Sequence, residues 1–157
     1  MRYALLAAGA AILIAPGAVA AQSGSPIEIE GNRANVQNWA TDVSHALDRK
    51  LTYPMYYGFQ GAREGYAQIS FRVGADGAPA AVMLTRSTGS SRLDRAALAA
   101  VEGIRNMAPL PAGVSPTVRA TVVFGLDQST RTRLAREAGA SLQSDQVALT
   151  VMPAAAA

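Results

Sequence analysis

Apolar side chains recur in this chain with two different rhythms. Val36, Trp39, Ala40, Val43 and Leu47 fall at i, i+3, i+4, i+7 and i+11, which is one face of an amphipathic helix. Tyr53-Pro54 predicts its end, because the residue before proline is pushed out of the α region. From residue 66 to 73 the rhythm changes to two. Ala67, Ile69, Phe71 and Val73 fall on one side, Tyr66, Gln68, Ser70 and Arg72 on the other, as in a strand with one buried face. Gly74-Ala75-Asp76-Gly77 carries residues that accept positive φ. Ala80, Val82 and Leu84 then alternate again, with Pro79 at the strand's first residue, where a missing amide is tolerated. Together these segments predict a β-hairpin.

Next comes a polar elbow, Arg86-Ser87-Thr88-Gly89-Ser90-Ser91. Ser91 and Asp94, three apart, match a capping box at the start of a helix. Leu93, Ala96, Ala97, Ala100, Val101 and Ile104 continue as its apolar stripe. Gly89 is expected at positive φ or in a turn too tight for a side chain, where the chain reverses from strand to helix. Pro109 and Pro111 close the segment, and Val118, Ala120, Val122 and Phe124 alternate in a third strand. The order helix, strand, strand, helix, strand predicts an α+β fold. It is a small two-layer sandwich with an antiparallel three-stranded sheet and the helices on one face. Beyond Leu126 the pattern weakens. Residues 129–142 read as a polar helix, and residues 147–152 as either a short extra strand or an apolar piece of tail.

The first residues set the expected compartment. Met1-Arg2 is a minimal positive region, residues 3–14 are apolar, Pro16-Gly17 breaks a helix, and Ala18-Val19-Ala20 suits a signal peptidase. The expected organisation is a signal peptide over 1–21, a flexible lead over 22–33, a domain over 34–126 and a partly disordered extension over 127–157. The chain is then exported to the periplasm. The alternative is an inner-membrane anchor through residues 3–21, facing the periplasm. Without Arg2, the fourteen Lys and Arg become thirteen, against eleven Asp and Glu, and all but Lys50 are arginine. They are scattered rather than gathered into a phosphate-tracking stripe, so no nucleic-acid partner is expected.

An ordered series of motifs carries a family likeness: Tyr53-Pro54, Glu64-Gly65, Phe71-Arg72-Val73, Asp76-Gly77, Arg86-Ser87-Thr88-Gly89, Leu93-Asp94, Ala97, Pro109-Leu110-Pro111 and Val123-Phe124. Residues 53–126 resemble the C-terminal domain of TonB-type energy transducers, which is related in architecture to that of TolA. The resemblance implies a periplasmic interaction module whose members take an extended segment of an outer-membrane receptor alongside the last strand of the sheet. It also implies inner-membrane motor proteins as partners, if the N-terminal segment is kept as an anchor. The chain departs from the family plan in having no proline-rich spacer, and Gly58 with Tyr56, Tyr57 and Phe59 replaces a helical continuation after Tyr53-Pro54. The alternative function is a TolA-like envelope adaptor that transmits no energy.

Carried onto these residues, the resemblance makes 117–126 a binding edge. Along a strand the amides alternate in direction as the side chains do. The amides of Arg119, Thr121 and Val123 therefore share one flank and those of Ala120, Val122 and Phe124 the other. One flank is expected to pair within the sheet and the other to be free for a partner strand, with Thr117, Arg119, Thr121 and Val123 as the partner-binding residues. Tyr56, Tyr57 and Phe59 form either a lid on the core or a second contact patch. A homodimer through a free edge is a further expectation.

Enzymatic chemistry is not expected. His45 is the one histidine and there is no cysteine, so no nucleophile–base pair is evident apart from His45 and its neighbour Ser44. Glu28 and Glu30, or Asp42 and Asp48, do not converge on a metal, and Gly89 stands alone where a phosphate loop needs a glycine-rich run with a lysine. No cofactor or metal is expected.

Overall fold

The first helix, α1 (Pro26–Lys50), begins earlier than the stripe from Val36 suggests and takes in much of the stretch expected to be a flexible lead. The computed structural model describes residues 26–54 and 64–154, with side chains from residue 32. The expected signal segment and the aromatics Tyr56, Tyr57 and Phe59 fall outside the described residues. Trp39, Ala40, Val43 and Leu47 are buried, as the stripe requires. The Trp39 indole N–H donates to the Ala108 carbonyl at 2.8 Å, tying the helix to the proline loop 69 residues later.

The hairpin is β1 (Gly65–Val73) and β2 (Pro79–Arg86). Ala67, Ile69 and Phe71 are buried in the core and the alternate residues face away from it. In the turn, the Gly77 amide donates to Gly74 O at 3.0 Å, and Asp76 accepts from the Ala78 amide at 3.0 Å. Gly77 has φ +69°, and a Cβ there would stand 2.5 Å from Met107 O. The position therefore needs glycine both for its dihedral and for the close approach of the loop after the second helix.

At the elbow the capping box does not form. The second helix, α2 (Ser91–Glu102), takes Ser90 as its N-cap, and the Ser90 side chain makes no capping bond. Asp94 instead reaches back, accepting from the Ser87 hydroxyl at 2.5 Å, the Thr88 amide at 2.8 Å and the Thr88 hydroxyl at 2.8 Å. A carboxylate on the first turn thus organises the two residues before the reversal, at Gly89 with φ +89°. Partial burial opposes ionisation of Asp94. The bonds from Ser87 and Thr88 outweigh it and hold its pKa below the usual carboxylate value. Leu93, Ala97, Ala100 and Val101 are buried, and the small alanines let the helix approach the sheet closely.

Among the described residues the sheet has four strands rather than three. The third, β3 (Val114–Phe124), pairs antiparallel with β1 on one side and with β4 (Val147–Pro153) on the other, giving the order β2-β1-β3-β4. Val147 and Leu149 of β4 lie in the same core cluster as Phe71, Phe124, Leu93 and Leu47. α2 packs over β2 and β1, and α1 over β4. The helices are also not all on one face. The third, α3 (Gln128–Glu137), packs its Leu134 and Ala135 with Val123, Tyr66 and Leu142, in a cluster separate from the main core. Val123 and Tyr66 alternate with core residues, so α3 covers part of the opposite face. Residues 128–153, expected to be a partly disordered extension, build this helix and the last strand. Asp127 starts α3 as a side-chain cap. Its carboxylate accepts from the Ser129 hydroxyl, the Thr130 amide and the Thr130 hydroxyl, which lowers its pKa to about 2.

Candidate functional site

β3 is where the sequence locates a binding edge, and there the structure corrects the expectation. The Val123 amide donates to Gln146 O at 2.7 Å, so the Val123, Thr121 and Arg119 amides share the flank facing β4. That flank is already filled. β4 is in register from Val118↔Val151 to Val122↔Val147. The Thr117 amide, past the regular ladder, donates to the Ser115 hydroxyl oxygen at 3.2 Å. Of the four residues singled out, Thr121 and Val123 are buried, while Thr117 and Arg119 are exposed.

The strand in that flank is itself held from outside. Residues of β4 whose backbone groups do not face β3 include Val147 and Leu149. The Leu149 amide donates to Gln143 Oε1 at 2.8 Å, and Gln143 Nε2 donates to Leu149 O at 3.1 Å. One primary carboxamide thus offers Leu149 the acceptor and donor that a neighbouring strand would offer. Val147 is satisfied in the same way: its amide donates to Ser144 Oγ at 3.2 Å, and its carbonyl accepts from the Gln143 and Ser144 amides at 3.0 and 3.2 Å. The Asp145 amide donates to Asp48 Oδ2 of α1 at 2.9 Å. The loop between α3 and β4 therefore caps the sheet's edge with side chains.

The far edge, β2, is blunted differently. Pro79 supplies no amide, and the register with β1 slips twice, between Gln68/Ile69 and between Ser70/Arg72. Ala81 within the second slip has φ +50°. Bulges and a proline make such an edge a poor template for another strand.

The other sequence candidates stay apart. His45 is exposed on α1 while Ser44 is fully buried, so the two neighbours point to different surroundings. Among the described residues the Ser44 hydroxyl has no hydrogen-bond partner. Among the described residues no helix is long and apolar enough to cross a membrane. Sequence reasoning missed Gln143 and Ser144. The one available signal was that residues 147–152 read as a strand, which requires an edge and something to finish it.

Comparison with known proteins fits this geometry. The family described as Gram-negative bacterial TonB protein C-terminal matches residues 49–126, a span that includes β1, β2, α2 and β3 and ends before α3 and β4. Protein TonB of Haemophilus influenzae is 36% identical over 64 residues, covering 41% of this chain and 24% of that protein. The chain thus spans about a quarter of that relative's length. No solved structure matches the chain significantly. In fold, in its ordered motifs and in this match, residues 49–126 are a domain of the TonB C-terminal family.

Proposed function

We propose that this chain is a periplasmic interaction module that binds an extended segment of an envelope protein, such as an outer-membrane receptor, as a strand beside β3. The observation that carries the reading is the origin of the strand now in that place. β4 lies outside the family-matched residues, yet it occupies the flank bearing the Arg119, Thr121 and Val123 amides. The flank accepts an antiparallel strand, and a partner segment enters by exchange with β4 rather than by addition to a vacant edge.

The exchange defines the segment's chemistry. Val147 and Leu149 turn into the core beneath α1, and Val151 packs partly against it. A replacing strand needs apolar residues at alternate positions to cover the same surface, since leaving a Val or Leu site empty costs about 1.5–3 kcal/mol of burial. Residues 3–21, retained as an inner-membrane anchor, would connect this grip to motor proteins and to energised transport. Cleaved as a signal peptide, they would leave a free periplasmic module.

The test is calorimetric titration of the exported chain with peptides from periplasm-facing segments of outer-membrane transporters. Peptides with apolar residues at alternate positions are expected to bind, and scrambled peptides are not. Deleting residues 146–157, or replacing Gln143 by alanine where the deletion does not fold, is expected to tighten binding. Equal affinity in wild type and in a folded variant with weakened β4 refutes exchange at this flank.

A further inference from the structure

We infer that the part of the sheet face left open beside α3 is a second docking surface, for an acidic, extended protein segment. The four strands contain three charged residues, Arg72, Arg86 and Arg119, and no aspartate or glutamate. All three are exposed and lie on the face turned away from α1 and α2. Arg72 and Arg119 alternate with buried core residues of β1 and β3, and Arg86 stacks over the ring of Tyr66, 4.7 Å from its centroid. α3 covers the end of this face near Val123 and Tyr66. Thr117, Thr150, Ala80 and Met83 around the arginines remain exposed.

The register places the arginines. Arg72 pairs with Thr117 and Arg119 with Ser70, which makes the two arginines diagonal neighbours on adjacent strands. Arg86 stands opposite Gln68, four residues along β1 from Arg72. Diagonal neighbours in a sheet are about 7–8 Å apart, and like charges so placed repel. Sheets ordinarily relieve such repulsion with an acidic residue across the strand. Here the opposing residues are Thr117, Ser70 and Gln68. Among the described residues the ion pairs fall on Arg133 of α3, with Glu137 and Glu64, and the three strand arginines form none. The face therefore presents three guanidinium groups, each with donors free for a carboxylate.

Spacing identifies the occupant. An extended peptide repeats a given side about every 6.8 Å, so carboxylates two residues apart match Arg72 and Arg119, and carboxylates four apart match Arg72 and Arg86. Three arginines on a flat face are fewer than the clusters of about four to eight that hold anionic membranes. The geometry therefore favours a peptide over a lipid surface. This site is on the sheet's face and does not use the backbone of the β3 flank, so it stands independently of strand exchange.

The probe is a capped peptide of alternating glutamate and threonine, titrated by fluorescence anisotropy against the full chain at low and moderate salt. Micromolar binding that weakens with salt is expected, with about a tenfold loss in Arg72→Ala and in Arg119→Ala. Arg92→Ala/Arg95→Ala, an exposed pair on α2, is expected to bind as wild type does. Circular dichroism confirms that each variant is folded. Absence of binding overturns the inference. So does an equal loss in the α2 pair, which would mean general charge attraction, or binding to phosphatidylglycerol vesicles without binding to the peptide.

Discussion

Replacing Gln143 by alanine isolates the contact that finishes the sheet. The substitution removes both hydrogen bonds to Leu149, at 2.8 and 3.1 Å, and leaves the hydrophobic core untouched. A neutral hydrogen bond contributes about 0.5–1.5 kcal/mol net, so the pair contributes about 1–3 kcal/mol. Gln143 is partly exposed and water replaces some of the loss, which brings the expected cost to about 1–2 kcal/mol. That cost falls on opening of β4 rather than on global unfolding. In native-state hydrogen exchange the Leu149 amide is expected to exchange about 5–30 times faster, the factor that corresponds to this energy. Amides of β1 keep their protection. Gln143→Glu keeps an acceptor for the Leu149 amide but sets a carboxylate oxygen against its carbonyl, so it should not restore wild-type protection. A Leu149 exchange rate within about twofold of wild type in the alanine variant would refute the view that this carboxamide holds β4 in place.

Three further outcomes are expected. Phe71→Ala and Phe124→Ala remove side chains that are 1% and 0% exposed; each should cost about 3–5 kcal/mol in urea denaturation, and a loss below about 1 kcal/mol at both would contradict the packing. Gly89→Val places a β-branched side chain at φ +89° with open space around its Cβ, so backbone strain alone should cost about 1–2 kcal/mol; an unchanged melting temperature would refute the strain. For Asp94, whose folded pKa is lowered from 3.8, the stabilisation is present above that ordinary value and is lost as pH falls through the folded one. The stability difference between wild type and Asp94→Asn should therefore shrink below about pH 4, and a gap that is flat down to pH 2 would remove the carboxylate from the account.

The sequence reveals what is locally encoded. The stripe at Val36, Trp39, Ala40, Val43 and Leu47 and the alternation around Ile69 and Phe71 report burial directly, because each element has one strongly apolar face. Gly89 was legible for the same reason: strand and helix rhythms meet there and the chain must reverse. Asp94 misled, because a carboxylate three residues into a helix satisfies either a cap or a preceding loop, and the pattern is the same for both. β4 is hidden for a different reason. Residues 147–153 alternate weakly, and nothing local says that their partner is β3, which lies beyond an intervening helix. The side of the sheet that α3 covers was equally illegible, since Leu134 and Ala135 alone give no direction. Without β4 the flank of Arg119, Thr121 and Val123 looked open. Gln143, a single polar residue in a loop, acquires meaning through its distance to Leu149.

The finishing of both sheet edges has a consequence in time. With β2 bulged and β4 capped, the sheet has no readily extended edge among the described residues, and on the proposed exchange a strand joins beside β3 after β4 has left. Association then proceeds in two steps, and its observed rate stops rising with ligand concentration once it reaches the rate at which β4 opens. A domain with a bare edge has no such ceiling: it captures any suitable strand as fast as the two meet, copies of itself included. On the proposed exchange, the clasp at Leu149 would set how often the module is receptive, and the partner's affinity how long it stays engaged.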